Sequence, residues 1–405
     1  FGGIFSKEIR EMDKSQLWTK NFIMSTLINF MLMLNYFLLM VVTTQYAMTH
    51  YNASPGIAGF AASIFICGAL VARFFGGIWL ERVGRKKMLI IGTIMEVVMS
   101  VLYFFSGGIG ILFVVRLFHG ISYGISSTAI GTIVTDIVPR SRQGEGIGYY
   151  MLSVTLGAAI GPFLGMFLSQ NGGFPIIFIV CSIAAALCFL CAGFLRVPEL
   201  APDSAIPAPS KKFSLCNFFE MKAVPISAVC AIIYFGYSGL LSFLSPFAAS
   251  LNLQTAANFF FVVYAISMFV SRPFTGRRFD SQGEKSVMLP AFFAFMAGMI
   301  ILSLTQSAVT LLIAAALLGF GIGVTQSSGL TIAVQASPAT RLSLVNSTFY
   351  IFLDSAVGIG PLILGLFVPV LGYRGMYFCI AMLTVICILL YLWIYKKKSV
   401  QTARR

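Results

Sequence analysis

Twelve long apolar runs with few charges decide what this chain can fold into. They fall at 20–48, 55–80, 87–106, 109–138, 143–169, 173–195, 222–248, 255–279, 286–306, 308–336, 342–369 and 373–395. Each reaches the roughly 20 residues that a helix needs to cross a bilayer. Inside hydrocarbon the backbone must satisfy its own hydrogen bonds, which leaves only helices and closed barrels. Barrel strands would show as alternating segments of about ten residues, and these runs do not alternate. The composition agrees: 58% of residues are hydrophobic and 10% charged, where a soluble domain carries about 25% charged. The chain reads as an all-α membrane protein with twelve transmembrane helices.

The formal net charge of +14 could point to nucleic acid, but its distribution points to topology. Basic residues gather at Lys7, Arg10, Lys14 and Lys20, in the 81–87 loop, at Arg140 and Arg142, and in the 196–222 connector. They return in the 277–285 loop and at Lys396, Lys397, Lys398, Arg404 and Arg405, while the alternate connections, Arg374 excepted, are nearly free of them. That is the positive-inside pattern. It assigns 1–19 to a cytoplasmic N-terminal segment, 20–195 and 222–395 to two six-helix bundles, 196–221 to a cytoplasmic connector and 396–405 to a basic cytoplasmic tail. Membrane lipids are the only partner the charge implies, and no nucleic acid is expected.

Pro198, Pro202, Pro207 and Pro209 forbid a continuous helix in the connector. Its end, Phe213 to Phe219, reads either as plain linker or as a stretch along the membrane surface. The first span is too long, and follows too charged a segment, for a cleavable signal peptide. Cys188 and Cys191 form a CxxC inside an apolar span, with no second pair and no histidine nearby. Packing is expected there rather than metal or redox work.

A charged motif is used twice. Gly77-Ile78-Trp79-Leu80-Glu81-Arg82-Val83-Gly84-Arg85-Lys86 returns 199 positions later as Gly276-Arg277-Arg278-Phe279-Asp280-Ser281-Gln282-Gly283-Glu284-Lys285. Arg73 and Arg272 stand four residues upstream of each copy. The same offset relates Gly120 to Gly319, Gly124 to Gly323, Pro139 to Pro338, Arg142 to Arg341, and Gly161-Pro162 to Gly360-Pro361. A register held across so many glycines and prolines indicates duplication. Two pseudo-symmetric six-helix bundles, related by an axis along the membrane normal, follow a plan known among transporters.

These residues resemble the major facilitator superfamily over essentially the whole chain. Its loop motif G-x-x-x-D-R-x-G-R-K matches Gly77 to Lys86, with Glu81 in place of aspartate. Its fourth-helix motif R-x-x-x-G matches Arg116 to Gly120. Its fifth-helix motif G-x-x-x-G-P-x-x-G matches Gly157 to Gly165, with Met166 where a further glycine is common. The resemblance implies a 12-helix drug:proton antiporter, in which the fifth-helix motif marks exporters. Gly157, Gly161 and Gly165 share one helix face, and Pro162 weakens the ladder there, so a tight, bendable contact between the halves is expected. Glu81 is expected against the N-terminus of the eleventh helix, where the dipole favours an anion. Arg85 is expected beside Asp136 and Glu145, and the resemblance implies that this cluster holds the outward-facing state. The second copy is poorer, since Gln335 and Leu344 match Asp136 and Glu145.

Ionisable groups at membrane depth are costly and rarely idle. Asp354 lies about twelve residues into the eleventh span, or about 18 Å along a helix rising 1.5 Å per residue. Its carboxyl is the first choice for the proton carrier, with desolvation raising its pKa and the approach of Arg116 lowering it again. Arg116 and His119 are three residues apart on one face of the fourth span. The family's first, fourth, seventh and tenth helices line its cavity, which gives both a claim to the pathway. Glu96, mid-depth on the third span, reads as either a structural partner or a second proton site. The substrate pocket is expected among Asn35, Tyr36, Tyr123, Tyr234, Tyr237, Gln326 and Tyr350, since rings with a few polar groups suit amphipathic molecules.

The function expected is proton-coupled export of a small amphipathic molecule by alternating access, from a monomer in a bacterial cytoplasmic membrane. No Walker-type G-x-x-x-x-G-K-[ST] is present, and neither cofactor nor metal is implied. Uptake by proton symport and a non-transporting membrane sensor stay open as alternatives. An enzyme is not expected, because the sequence has no H-E-x-x-H, no convincing triad and only His50 and His119.

Overall fold

The computed structural model describes residues 17–139, 143–197, 219–337 and 342–403, and among these there is no strand. The first bundle contains α1 (Lys20–His50), α2 (Pro55–Val83), α3 (Arg85–Leu102) with a 3-10 turn at Tyr103–Phe105, α4 (Ile109–Ile137), α5 (Gln143–Asn171) and α6 (Gly173–Phe194). The second contains α7 (Val224–Ser250), α8 (Gln254–Gln282), α9 (Lys285–Leu304) and α10 (Ala308–Gln335), then one helical stretch, Leu342–Ala403. Non-helical backbone at Gly372 (φ 66°) divides that stretch into α11 (342–371) and α12 (373–403). The basic tail expected at 396–405 is therefore helix as far as Ala403.

The motif expected as a loop at 77–86 is also mostly helix. Helix α2 runs to Val83 and α8 to Gln282, so the connections narrow to Gly84 (φ 96°) and to Gly283 (φ 80°) with Glu284. Side chains avoid that backbone region, which explains why glycine recurs in both copies. The charges ride on the helix ends instead of on a loop.

The duplication is visible as repeated packing. A Cβ on Gly120 would strike the Phe65 backbone, and one on Gly319 the Tyr264 backbone. Gly124 meets the Ala69 backbone, and Gly323 meets the side chain of the equivalent Met268. Small residues let helices approach closely in lipid, here α2 on α4 and α8 on α10.

Large apolar side chains stand outward, including Phe105, Phe194, Phe274 and Val370 at 70–81% exposure. Such a surface suits hydrocarbon rather than water. Within their most apolar windows α1 and α7 are 72% and 67% buried, whereas α3 and α6 are 39% buried. The first and seventh helices are central and the third and sixth peripheral.

The fifth-helix glycines do not form the expected contact between halves. A Cβ on Gly157 would lie 2.6 Å from Met33 Cβ, on Gly161 2.9 Å from Phe37 Cβ, and on Gly165 3.0 Å from Leu38 O. All three partners are on α1, in the same half, where Asn29 also donates to Ser153 Oγ at 2.7 Å. Gly360 likewise packs on Ser238 of α7. The close crossing between halves comes from other glycines. Gly59 abuts Pro361, and a Cβ on Gly358 would lie 2.7 Å from Ile66.

Candidate functional site

A fully buried polar chain runs through the first bundle. Arg116, His119, Glu96 and Tyr103 are 0–2% exposed. Arg116 donates from Nε to Ala61 O (3.1 Å) and from a terminal nitrogen to the Tyr103 hydroxyl (3.5 Å), and lies 4.5 Å from the Phe65 ring centre. The Tyr103 hydroxyl is 2.9 Å from His119 Nδ1, and His119 Nε2 is 2.9 Å from Glu96 Oε1. Ser122 donates to Glu96 Oε2 at 2.5 Å. The links are met when Tyr103 accepts from Arg116 and donates to His119 Nδ1 while Nε2–H donates to Glu96, and equally when His119 donates from both nitrogens. Arg116 and His119 are thus packed inside the bundle among α2, α3 and the Tyr103 turn, not set out on a pathway between halves.

The repeat supplies an internal comparison. Counting 199 positions on from Glu96, Tyr103, Arg116 and His119 gives Phe295, Leu302, Ala315 and Leu318, all 0% exposed. The same bundle interior is therefore built without a charge in the second half. Buried ion pairs are often no more stabilising than apolar replacements, so packing alone does not account for the chain in the first half. At the end remote from the 196–221 connector, Tyr103 also borders a cavity of about 360 Å³ with Tyr46, His50, Ser106 and Phe178.

Between the halves, Asp354 on α11 pairs with Arg73 on α2. Arg116 was the expected partner, but its guanidinium is held on Ala61 and Tyr103 and does not reach α11. Arg73 was legible only as a repeated arginine upstream of the motif. Other contacts cross nearer the remote end: Gln170 with Asn258 at 3.0 Å, Ser245 with Gln45, and Leu362 N on Ser63 Oγ at 3.1 Å. Of these, the Arg73–Asp354 pair lies nearest the connector end.

Tyrosines surround that pair. Tyr36 stacks on Tyr123 (5.2 Å, 14°), and Tyr237 stacks on Tyr264 (5.9 Å, 8°) and meets Tyr234 at 5.6 Å. Tyr36 lies within Coulombic range of Tyr237 in the other half and of Arg73. Arg73 sits 5.9 Å from the Tyr123 ring centre, and Tyr350 is within Coulombic range of both Arg73 and Arg272. Tyr36, Gln326 and Tyr350 stay half-buried. Asn35 does not join them. It is 1% exposed and donates to Cys181 O at 3.2 Å, which ties α1 to α6.

At the connector end Arg85 pairs with Asp136, and Lys86 donates to Gly193 O at 3.2 Å. The side chains of Glu81, Arg82, Glu145 and Asp280, and the Gly77 position, lie outside those described, and so does Arg142. Gly276 has open space around it. Cys188 donates weakly to Ile28 O at 3.7 Å, a packing contact.

The family model of the Major Facilitator Superfamily matches residues 25–281 and, again, 227–405. The chain belongs to this superfamily. Within it, an uncharacterised MFS-type transporter of Methanocaldococcus jannaschii is 23% identical over 319 residues, covering 77% of this chain and 82% of that protein. The staphylopine export protein of Staphylococcus aureus is 23% identical over 352 residues, covering 84% and 87%. The crystal structure of a bacterial homologue of the human lysosomal transporter Spinster, inward-facing and unoccupied, superposes with a TM-score of 0.73. It is 17% identical and covers 93% of this chain and 97% of that one. The superfamily fold makes this chain a multi-pass membrane transporter of small molecules.

Proposed function

We propose that this major facilitator protein exports a small amphipathic molecule in exchange for protons, by alternating access, with both termini on the cytoplasmic face. The Arg73–Asp354 pair carries the reading, because it joins the halves through groups that titration or a ligand can separate. A proton on Asp354 releases Arg73 and weakens the contact between α2 and α11, and deprotonation restores it. Charge on one carboxylate thereby becomes coupled to the position of one half against the other. The His119–Glu96 pair is a second protonatable element, with Tyr103 linking it toward the remote-end cavity.

The export direction rests on the fifth-helix motif at Gly157–Gly165 and on the likeness to a staphylopine exporter. Arg85 and Asp136 serve as the latch at the connector end. The test is uphill solute movement in proteoliposomes of the purified protein under an imposed pH gradient. Movement that follows the gradient, and fails in Asp354→Asn, is expected. Movement indifferent to the gradient would refute proton coupling.

A further inference from the structure

The two halves are not balanced in charge at the level of the central pair. Arg272 lies 199 positions after Arg73, on the α8 face that holds the buried residues Phe261, Tyr264, Ala265 and Met268. The residue equivalent to Asp354 in the other half is Thr155, so the repeat provides no carboxylate for Arg272. Its Nε is buried without a hydrogen-bond partner, and no ion pair reaches it among the described residues. Tyr264 and Tyr350 lie within Coulombic range of it. Tyr350 is also in range of Arg73, so one hydroxyl feels both guanidiniums, and among the described residues Asp354 pairs with Arg73 and not with Arg272.

An unmatched cation at membrane depth is expensive, and nothing in the duplicated fold requires one. We propose that Arg272 anchors a carboxylate-binding subsite between the halves, so that the transported molecule is an amphipathic organic anion. The guanidinium fork fits a carboxylate through two parallel hydrogen bonds. The half-buried Tyr350 ring offers a flat apolar body somewhere to lie. A lipid headgroup could supply an anion too, but the lipid-facing side of α8 is marked by Val270 and Phe274, at 55% and 70% exposure, two residues to either side of Arg272 and so on the opposite face. The inference rests on reading the space between the halves as the transport route, and it adds the charge class of the cargo.

The experiment measures binding alone, so its result is separate from that of proton-coupled flux. Saturation-transfer NMR on the full chain, in nanodiscs of zwitterionic phospholipid, compares benzoate, benzamide and benzylammonium. Benzoate is expected to bind about tenfold tighter than the other two, as a charged hydrogen-bond pair provides. That preference is lost in Arg272→Gln and kept in Arg272→Lys, whose folding serves as the control. Equal or absent binding of the three probes, or a benzoate preference that survives Arg272→Gln, would overturn the subsite. Loss of the benzoate signal when phosphatidylglycerol joins the nanodisc would assign Arg272 to a lipid and overturn the solute reading.

Discussion

Arg73 on α2 and Asp354 on α11 pair across the two halves, and the repeat has no second copy of the pair because Thr155 stands where Asp354 would. Of the three ion pairs among the described residues it is the one that joins the two halves.

Breaking this link should loosen the contact between the halves, including the Ser245–Gln45 contact nearer the remote end. The Arg73 and Asp354 side chains are 26% and 25% exposed, so solvent screens them. The cost of Asp354→Asn is expected at about 1–2 kcal/mol, between a surface and a buried pair. A cysteine placed at Gln45, beside Ser245, should then react faster with a membrane-impermeant maleimide. The charge swap Arg73→Asp with Asp354→Arg should restore the slow rate. Unchanged labelling in Asp354→Asn would remove the pair from gating.

The buried chain of the first half predicts an asymmetry between one change and many. Glu96→Gln removes the one anion of the described buried chain that holds Arg116, at roughly 3–5 kcal/mol of stability. Installing the repeat's own residues together, Glu96→Phe, Tyr103→Leu, Arg116→Ala, His119→Leu and Ser122→Gly, should recover most of that loss in thermal unfolding while leaving transport altered in its pH dependence. A fivefold variant as unstable as Glu96→Gln would show that the charges are needed for the fold.

Glycines on different helices should fail in different ways. Gly157→Val overpacks α5 on Met33 within one half and is expected to lower thermal stability by about 1–3 kcal/mol. Gly358→Val meets Ile66 across the halves and should instead favour the state open at the remote end, read by the same cysteine labelling. Identical behaviour of the two variants would contradict the packing described.

Span number, duplication and fold class were legible because they depend on long averages: apolar run lengths, alternation of basic connections and an offset of 199 positions. Partner choice was not, because it depends on how each helix is rotated. Arg116 has the right depth to meet Asp354, but its face of α4 turns toward Ala61 and Tyr103. The glycines at 157–165 announce a close contact without saying with which helix, and the neighbour is α1. Asn35 reads equally well as a pocket residue or as a tie to Cys181, and periodicity does not separate the two. Arg73 and Arg272 were visible as a repeated pair. Their unequal surroundings came into view only when α11 and α5 were placed beside them.

The most direct test is proton movement in inside-out vesicles with an acid interior, as anionic, neutral, zwitterionic and cationic solutes are added in turn. The expected result is alkalinisation on adding an organic anion, abolished in Asp354→Asn. Alkalinisation that persists in Asp354→Asn, or none with any solute while the same protein takes solute up in right-side-out vesicles, would contradict proton-coupled export through the Arg73–Asp354 link.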